Sequence, residues 1–278
     1  MFKRYNLVFL ILLLIISPIA TAEIEIKTQW IQGGLILGNT DPSNDIEFLG
    51  KKVRVNPQGD FVIGLGRDAK PNVELLERVT SGKVITHTYA VEQRTYNEQK
   101  ITGVPKKTVN VPESALPRIR KEVRAAKKAR KVDSDLQSFL QKFIWPAQGI
   151  ISGVYGSRRY YNGVPKRPHF GVDIAAPQGS AVIAPASGVI TLVHENMYFS
   201  GGTVIMDHGH GISSTFIHLH KAHVKVGDAV KQGQLIAEIG STGRSTGPHL
   251  DWRMNWFDQR LDPQLLMDGL PLPLNAAK

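Results

Sequence analysis

The chain has 278 residues, 42% hydrophobic and 21% charged, with 26 Gly, 16 Pro, no Cys and a formal charge of +10. That is enough for a buried core and for two modest domains, and it excludes wholesale disorder as well as collagen-like and heptad-repeat classes. The lack of cysteine excludes disulfide frameworks, thiolate metal sites, a thiol nucleophile and a lipid-modified N-terminal Cys, so any metal must be held by His and carboxylates.

Residues 1–22 read as a secretory signal peptide. Lys3 and Arg4 open it, Leu7 to Ile16 is an apolar run too short to span a bilayer comfortably, and Ala20-Thr21-Ala22 fits a small-x-small cleavage site. Without Lys3 and Arg4, 32 basic and 24 acidic residues remain, a charge of +8. An exported basic chain meets anionic envelope surfaces or polymers, and no nucleic-acid reader motif is present. The expected compartment is the periplasm, with secretion to the medium as the alternative.

Residues 23–112 read as a small antiparallel β-sandwich. Phe48-Leu49 and Val53 to Val55 lead through the turn Asn56-Pro57-Gln58-Gly59 to Phe61-Val62-Ile63; Val73 to Thr80 leads through Ser81-Gly82 to Val84–Val91. Turn chemistry between β-rich runs signals hairpins. The one histidine of this segment, His87, reads as structural.

Residues 113–143 read as a basic helical linker. Pro117 suits a first turn, and residues 118–131 hold eight basic residues, one acid and no Gly or Pro. Asp133-Ser134-Asp135 is expected to interrupt the helix and cap a second stretch carrying Leu136, Phe139, Leu140 and Phe143. The cationic run Arg118–Lys131 is either a solvated linker face or an arm for an anionic envelope surface; the solvated face is the preferred reading.

Residues 144–270 hold eight of the nine histidines, with Gly every few residues and no long helical period, which predicts an all-β, turn-rich domain; 271–278 form a tail. Chemistry concentrates in three strings. In His169-Phe170-Gly171-Val172-Asp173, strand alternation puts His169, Gly171 and Asp173 on one face. A straight strand would hold His169 and Asp173 about 13 Å apart at 3.3 Å per residue, so shared metal binding predicts a bend near Gly171. In His249-Leu250-Asp251, the two polar residues share a face, and so do His218 and His220 in Phe216-Ile217-His218-Leu219-His220. Together, in a chain without cysteine, these strings suggest a His/carboxylate metal site.

From about Trp145 to Asp262 the sequence resembles the zinc endopeptidases of the lysostaphin/LytM type, which cut peptide cross-links in peptidoglycan. Matching strings occur in family order: Phe143-Ile144-Trp145-Pro146, Gly156-Ser157-Arg158, His169 to Asp173, Ala184 to Val189, Asp207-His208-Gly209, Phe216 to Leu219, Val226 to Val230, and Gly240 to Gly243 through Gly247-Pro248-His249-Leu250. The resemblance implies a compact antiparallel β-sheet peptidase domain with a groove, so that with the readings above the expected fold is mainly β: an N-terminal β-sandwich, a basic linker helix and this C-terminal domain. By position it implies His169 and Asp173 as ligands of Zn²⁺ and His218 and His249 as catalytic histidines.

The chain departs from the family at one point. The second His of the H-x-H pair is normally the third ligand, and here it is Asp251. Asp is a competent zinc ligand. The set His169, Asp173 and Asp251 carries −2, so a divalent ion would give a neutral centre where two His and one Asp leave +1. His220 is the weaker candidate for a rescuing ligand. Two functions follow: an exported zinc-dependent endopeptidase acting on peptidoglycan cross-links, or a degenerate domain that binds peptidoglycan or regulates another wall hydrolase.

Overall fold

A computed structural model describes residues 24–101, 111–161, 163–165 and 167–271. The expected signal peptide and residues 272–278 of the tail lie outside the described residues. The chain is mainly β. Among the described residues, no helix is long and apolar enough to cross a membrane.

The N-terminal region builds two antiparallel sheets. Strands β1 (Glu25–Ile26), β2 (Leu35–Asn39) and β5 (Asp60–Gly64) form one; β3 (Asp45–Phe48), β4 (Lys51–Val53), β6 (Asn72–Arg78) and β7 (Val84–Ala90) form the other, in the order β4-β3-β6-β7. Alternation along β3 and β6 sends Ile46, Phe48, Val73 and Leu75 inward. Each buried side chain of this kind contributes roughly 1.5–3 kcal/mol relative to exposure. Glu77 falls on the same inward face and is buried. His87 meets it at 2.9 Å, and Thr40 and Asn44 donate to its other oxygen at 2.6 and 2.8 Å, so its acceptors are filled. Next, β8 (Glu98–Ile101) pairs in parallel with β10 (Arg158–Tyr161), which pairs with β11 (Val164–Pro165).

The basic segment forms helix α1, Leu116–Arg130, with Pro117 in its first turn. Ala126 and Ala129 pack it onto Leu192, Met197 and Ile205. Glu122 accepts from the backbone N–H of Tyr198 and pairs with Arg118, which also donates to the carbonyl of Asn196. The other basic side chains from Arg120 to Lys128 are exposed. The expected second helical stretch is a single 3-10 turn at Ser138–Leu140. Asp133 and Asp135 do not cap it; both pair with Arg54 of the N-terminal region, while the Ser134 hydroxyl donates to Asp207 at 2.5 Å.

The C-terminal region is a ten-stranded sheet. Its strands are β9 (Ile150–Gly153), β12 (Val172–Ala175), β13 (Ala181–Ile183), β14 (Gly188–Met197), β15 (Gly201–Gly209), β16 (Ile212–Ala222), β17 (Ala229–Val230), β18 (Leu235–Ile239), β19 (His249–Trp256) and β20 (Gln259–Leu261). The main path runs β17-β14-β15-β16-β19-β12-β9, with all pairs antiparallel.

Alternation along β19 gives that sheet two unlike faces. Trp252, Met254 and Trp256 are buried on one, and Trp256 packs on Phe48 at 6.0 Å, so the hydrophobic core runs without a break into the N-terminal sheets. Asp251, Arg253 and Asn255 point to the other. Register pairs Arg253 with Thr215, Thr215 with Ile205 and Ile205 with Leu192, so α1 docks on this same polar face.

Candidate metal centre

Three side chains converge at the β9-facing end of the polar face. Ligand atoms of His169, Asp173 and Asp251 all lie within 4.8 Å of one another. His169 precedes β12, and its backbone is pinned to the turn before β10: its N–H donates to Ser157 O and its carbonyl accepts from Gly156 N, each at 2.8 Å. The chain bends at Gly171 and enters β12, where Asp173 sits directly opposite Asp251 of β19. Two carboxylates facing each other across neighbouring strands repel, unless a cation lies beside them.

Two glycines make room for those carboxylates. A side chain at Gly153, the β9 partner of Asp173, would bring its Cβ to 2.2 Å from Asp173 Oδ2. At Gly171 a Cβ would stand 2.4 Å from Asp251 Oδ1 and 2.7 Å from Arg253 Cγ. The glycines of these motifs therefore serve close approach as well as turning.

Hydrogen bonds do not satisfy every polar atom at the cluster. His169 Nε2 and Asp173 Oδ1 stand 3.2 Å apart, yet both atoms are buried without a hydrogen-bond partner among the described residues. Buried polar atoms seldom go unpaired, and leaving one so costs about 1–3 kcal/mol. A metal ion between a neutral imidazole nitrogen and a carboxylate oxygen satisfies both. The donor set of one nitrogen and two carboxylates suits Zn²⁺. The residues present fit the ion.

Histidines 218 and 249 flank the cluster with their rings 4.8 Å apart. His218 Nδ1 lies 2.8 Å from Thr242 O, and His249 Nδ1 lies 2.9 Å from Gly247 O. A carbonyl only accepts, so both Nδ1 atoms carry a proton, and in the neutral ring the lone pair is then on Nε2. His249 Nε2 is 3.9 Å from Asp173 Oδ1. Burial pushes the His218 pKa below the ordinary histidine value, opposed by the Thr242 contact and the Asp251 charge, which favours the neutral base. His218 also holds φ at +64°, a strained conformation for a residue with a side chain.

That strain corrects one expectation. The strand between Phe216 and Leu219 shifts register against β15, and alternation breaks at His218. His218 turns inward and is buried, whereas His220 is exposed, with its Nδ1 3.4 Å from Gln178 Nε2. His220 does not join the cluster.

Arg253 is the residue that sequence reasoning passed over. Its Nε donates to Asp251 Oδ1 at 2.9 Å and its Nη2 to Asp251 Oδ2 at 2.5 Å, a two-pronged pair. Burial alone would raise the Asp251 pKa, but the Arg253 charge and hydrogen bonds hold it well below the usual carboxylate range. The available signal was spacing: two residues on along a strand, Arg253 shares Asp251's face. A separate cleft of about 790 Å³ lies between the N-terminal sheets and β20, lined by Leu49, Arg67 and Arg260 among others. Phe170 reaches it, but no residue of the cluster does.

Residues 167–263 match Peptidase family M23. A Haemophilus influenzae protein named only as an uncharacterized metalloprotease is 41% identical over 97 residues, 35% of this chain and 20% of that protein. Peptidoglycan DD-endopeptidase ShyA of Vibrio cholerae is 36% identical over 121 residues, 43% of this chain and 28% of the relative. The chain therefore spans roughly a quarter of these curated relatives. Among solved structures, a Pseudomonas aeruginosa protein provisionally named peptidase M23 superimposes with a TM-score of 0.68 at 27% identity, over 86% of this chain and 95% of that one. The matched stretch carries His169, Asp173 and Asp251, so the region of the chain that holds the cluster is similar to peptidase family M23, the family of the lysostaphin/LytM type.

Proposed function

We propose that the chain is an exported zinc-dependent endopeptidase that cleaves peptide cross-links of peptidoglycan, working in the periplasm during wall remodelling. The observation that carries the reading is the unpaired, buried couple of His169 Nε2 and Asp173 Oδ1 beside a second carboxylate. ShyA, similar over 121 residues of this chain, is named for peptidoglycan DD-endopeptidase activity.

In this reading His169, Asp173 and Asp251 hold the ion. When bound, zinc supplies Lewis-acid polarisation of the scissile carbonyl and acidifies the attacking water. The protein does the rest. The lone pair on His249 Nε2 takes a proton at the cluster edge, and burial keeps His218 neutral beside it. The Thr242 and Gly247 carbonyls fix both ring tautomers, as an outer shell does at metal sites. The peptidase region is 144–270, preceded by the linker at 113–143 and by the N-terminal β-region at 23–112. The exposed cations of α1 face outward, where an anionic envelope surface is a fitting partner.

The test pairs metal analysis with digestion. Purified protein is assayed for zinc and incubated with cross-linked sacculi, with and without a chelator. Stoichiometric zinc and chelator-sensitive release of un-crosslinked stems are expected. Sacculus binding without zinc and without cleavage would replace the enzyme by the degenerate binding domain, in which the Arg253 fork has taken over Asp251.

A further inference from the structure

The geometry points to Asp251 and Arg253 acting as one neutral ligand unit, in which Arg253 positions the Asp251 carboxylate and cancels its charge at the metal centre. The inference rests on the zinc reading above. It makes Arg253 a positioning residue.

Four observations carry it. The Arg253 fork takes one lone pair on each Asp251 oxygen, and a carboxylate offers about four lone-pair sites, so coordination capacity remains on the side facing His169 and Asp173. The Asp251 side chain is only 3% exposed and that of Arg253 27% exposed, so the carboxylate is enclosed while the arginine side chain keeps some contact with solvent. Gly171 leaves the space that the pair needs, since any Cβ there would collide with both partners. Finally, Asp173 stands directly across from Asp251, so an unpaired second carboxylate would meet an uncompensated neighbour.

The charge arithmetic then changes. His169, Asp173 and Asp251 sum to −2, and a divalent ion on them alone gives a neutral centre. With Arg253 the total becomes +1, the value that two imidazoles and one carboxylate would leave. A neutral Asp–Arg pair thus stands where a neutral imidazole is expected from the family pattern. This accounts for a substitution at the third ligand position while His169, Asp173, His218 and His249 all stay in place.

The unit makes a prediction of sign that a merely structural salt bridge does not. Zn²⁺ affinity is measured by competition with a chromophoric chelator, using the full chain and three variants, with circular dichroism to establish folding. Arg253→Gln removes a nearby positive charge and is expected to hold zinc about tenfold tighter, on the scale of one unit charge at a partly screened site. Asp251→His with Arg253 retained leaves an uncancelled cation and is expected to weaken binding by about tenfold or more. The double variant Asp251→His/Arg253→Gln is neutral again and is expected to return to within about threefold of the parent, because the two changes of charge offset each other.

The double variant carries no unpaired buried charge, so it keeps the test alive if Arg253→Gln fails to fold. Equal zinc affinity in Asp251→His with and without Arg253 would overturn the inference while leaving the zinc reading intact. A parent protein that takes up no zinc would overturn both. Neither result depends on cleavage of sacculi.

Discussion

The two halves of the molecule each set a half-buried histidine beside a carboxylate, and they treat the pair in opposite ways. In the N-terminal sheets, His87 meets Glu77 at 2.9 Å, and Thr40 and Asn44 fill the remaining Glu77 oxygen. In the C-terminal sheet, His169 and Asp173 approach to 3.2 Å but neither facing atom finds a hydrogen bond. Both pairs set an imidazole about 3 Å from a carboxylate. What differs is whether every buried polar atom has a partner. A satisfied pair stabilises a sheet, whereas an unsatisfied one beside a second carboxylate offers its free donors to a cation.

Variants at the two pairs should therefore separate cleanly. Asp173→Ala should lose zinc and reduce cross-link cleavage to background, because it removes a ligand; full zinc stoichiometry in this variant would refute the assignment. His249→Ala should keep zinc but lose turnover by about 10²–10⁴-fold, the usual scale of a proton-transfer group. Parental hydrolysis rates in that variant would remove His249 from the chemistry.

A third prediction concerns acid. His208 is fully buried, its Nδ1–H donating to Ser187 O at 2.8 Å, and burial lowers its pKa from 6.5 to about 4 despite that bond. The unfolded chain takes up the proton first as pH falls below 6.5, so the folded state loses ground from there down to about pH 4. The cost at the bottom of that window is about 3 kcal/mol. Urea midpoints should fall steadily over that range, and a flat profile would contradict the buried neutral ring. Smaller again is the effect of Glu77→Ala, which leaves Thr40 and Asn44 without their acceptor. It should cost about 1–3 kcal/mol of stability while leaving zinc content and cleavage untouched. Lost zinc in that variant would break the contrast between the halves.

Local patterns in the sequence reached far into this site, and stopped where contacts become non-local. Alternation placed His249 with Asp251, and the distance argument for His169 and Asp173 required a bend near Gly171, where the chain does bend. The mainly β architecture followed from turn residues between short β-rich runs. Three things could not be read that way. The Asp173–Asp251 register depends on pairing between strands nearly eighty residues apart. The inward turn of His218 depends on a positive φ and a register shift that its neighbours impose. The short helix depends on Arg54, which draws Asp133 and Asp135 away from capping. Gly153 was visible only as one of many glycines until its strand partner was known to be Asp173.

Arg253 teaches the same lesson about charge. The candidate ligands alone sum to −2, but the strand that supplies Asp251 also supplies Arg253, whose charge offsets one of the two. Electrostatics at a metal site belong to the whole face and not to the ligands alone.

The most direct measurement is a crystal structure of zinc-soaked protein, with anomalous data collected on both sides of the zinc absorption edge. The expected result is one strong peak, about 2.0–2.2 Å from His169 Nε2 and from an oxygen of Asp173 and of Asp251, and nothing at His87 and Glu77. An empty C-terminal cluster, or a peak at the N-terminal pair instead, would contradict the metal centre proposed for this chain.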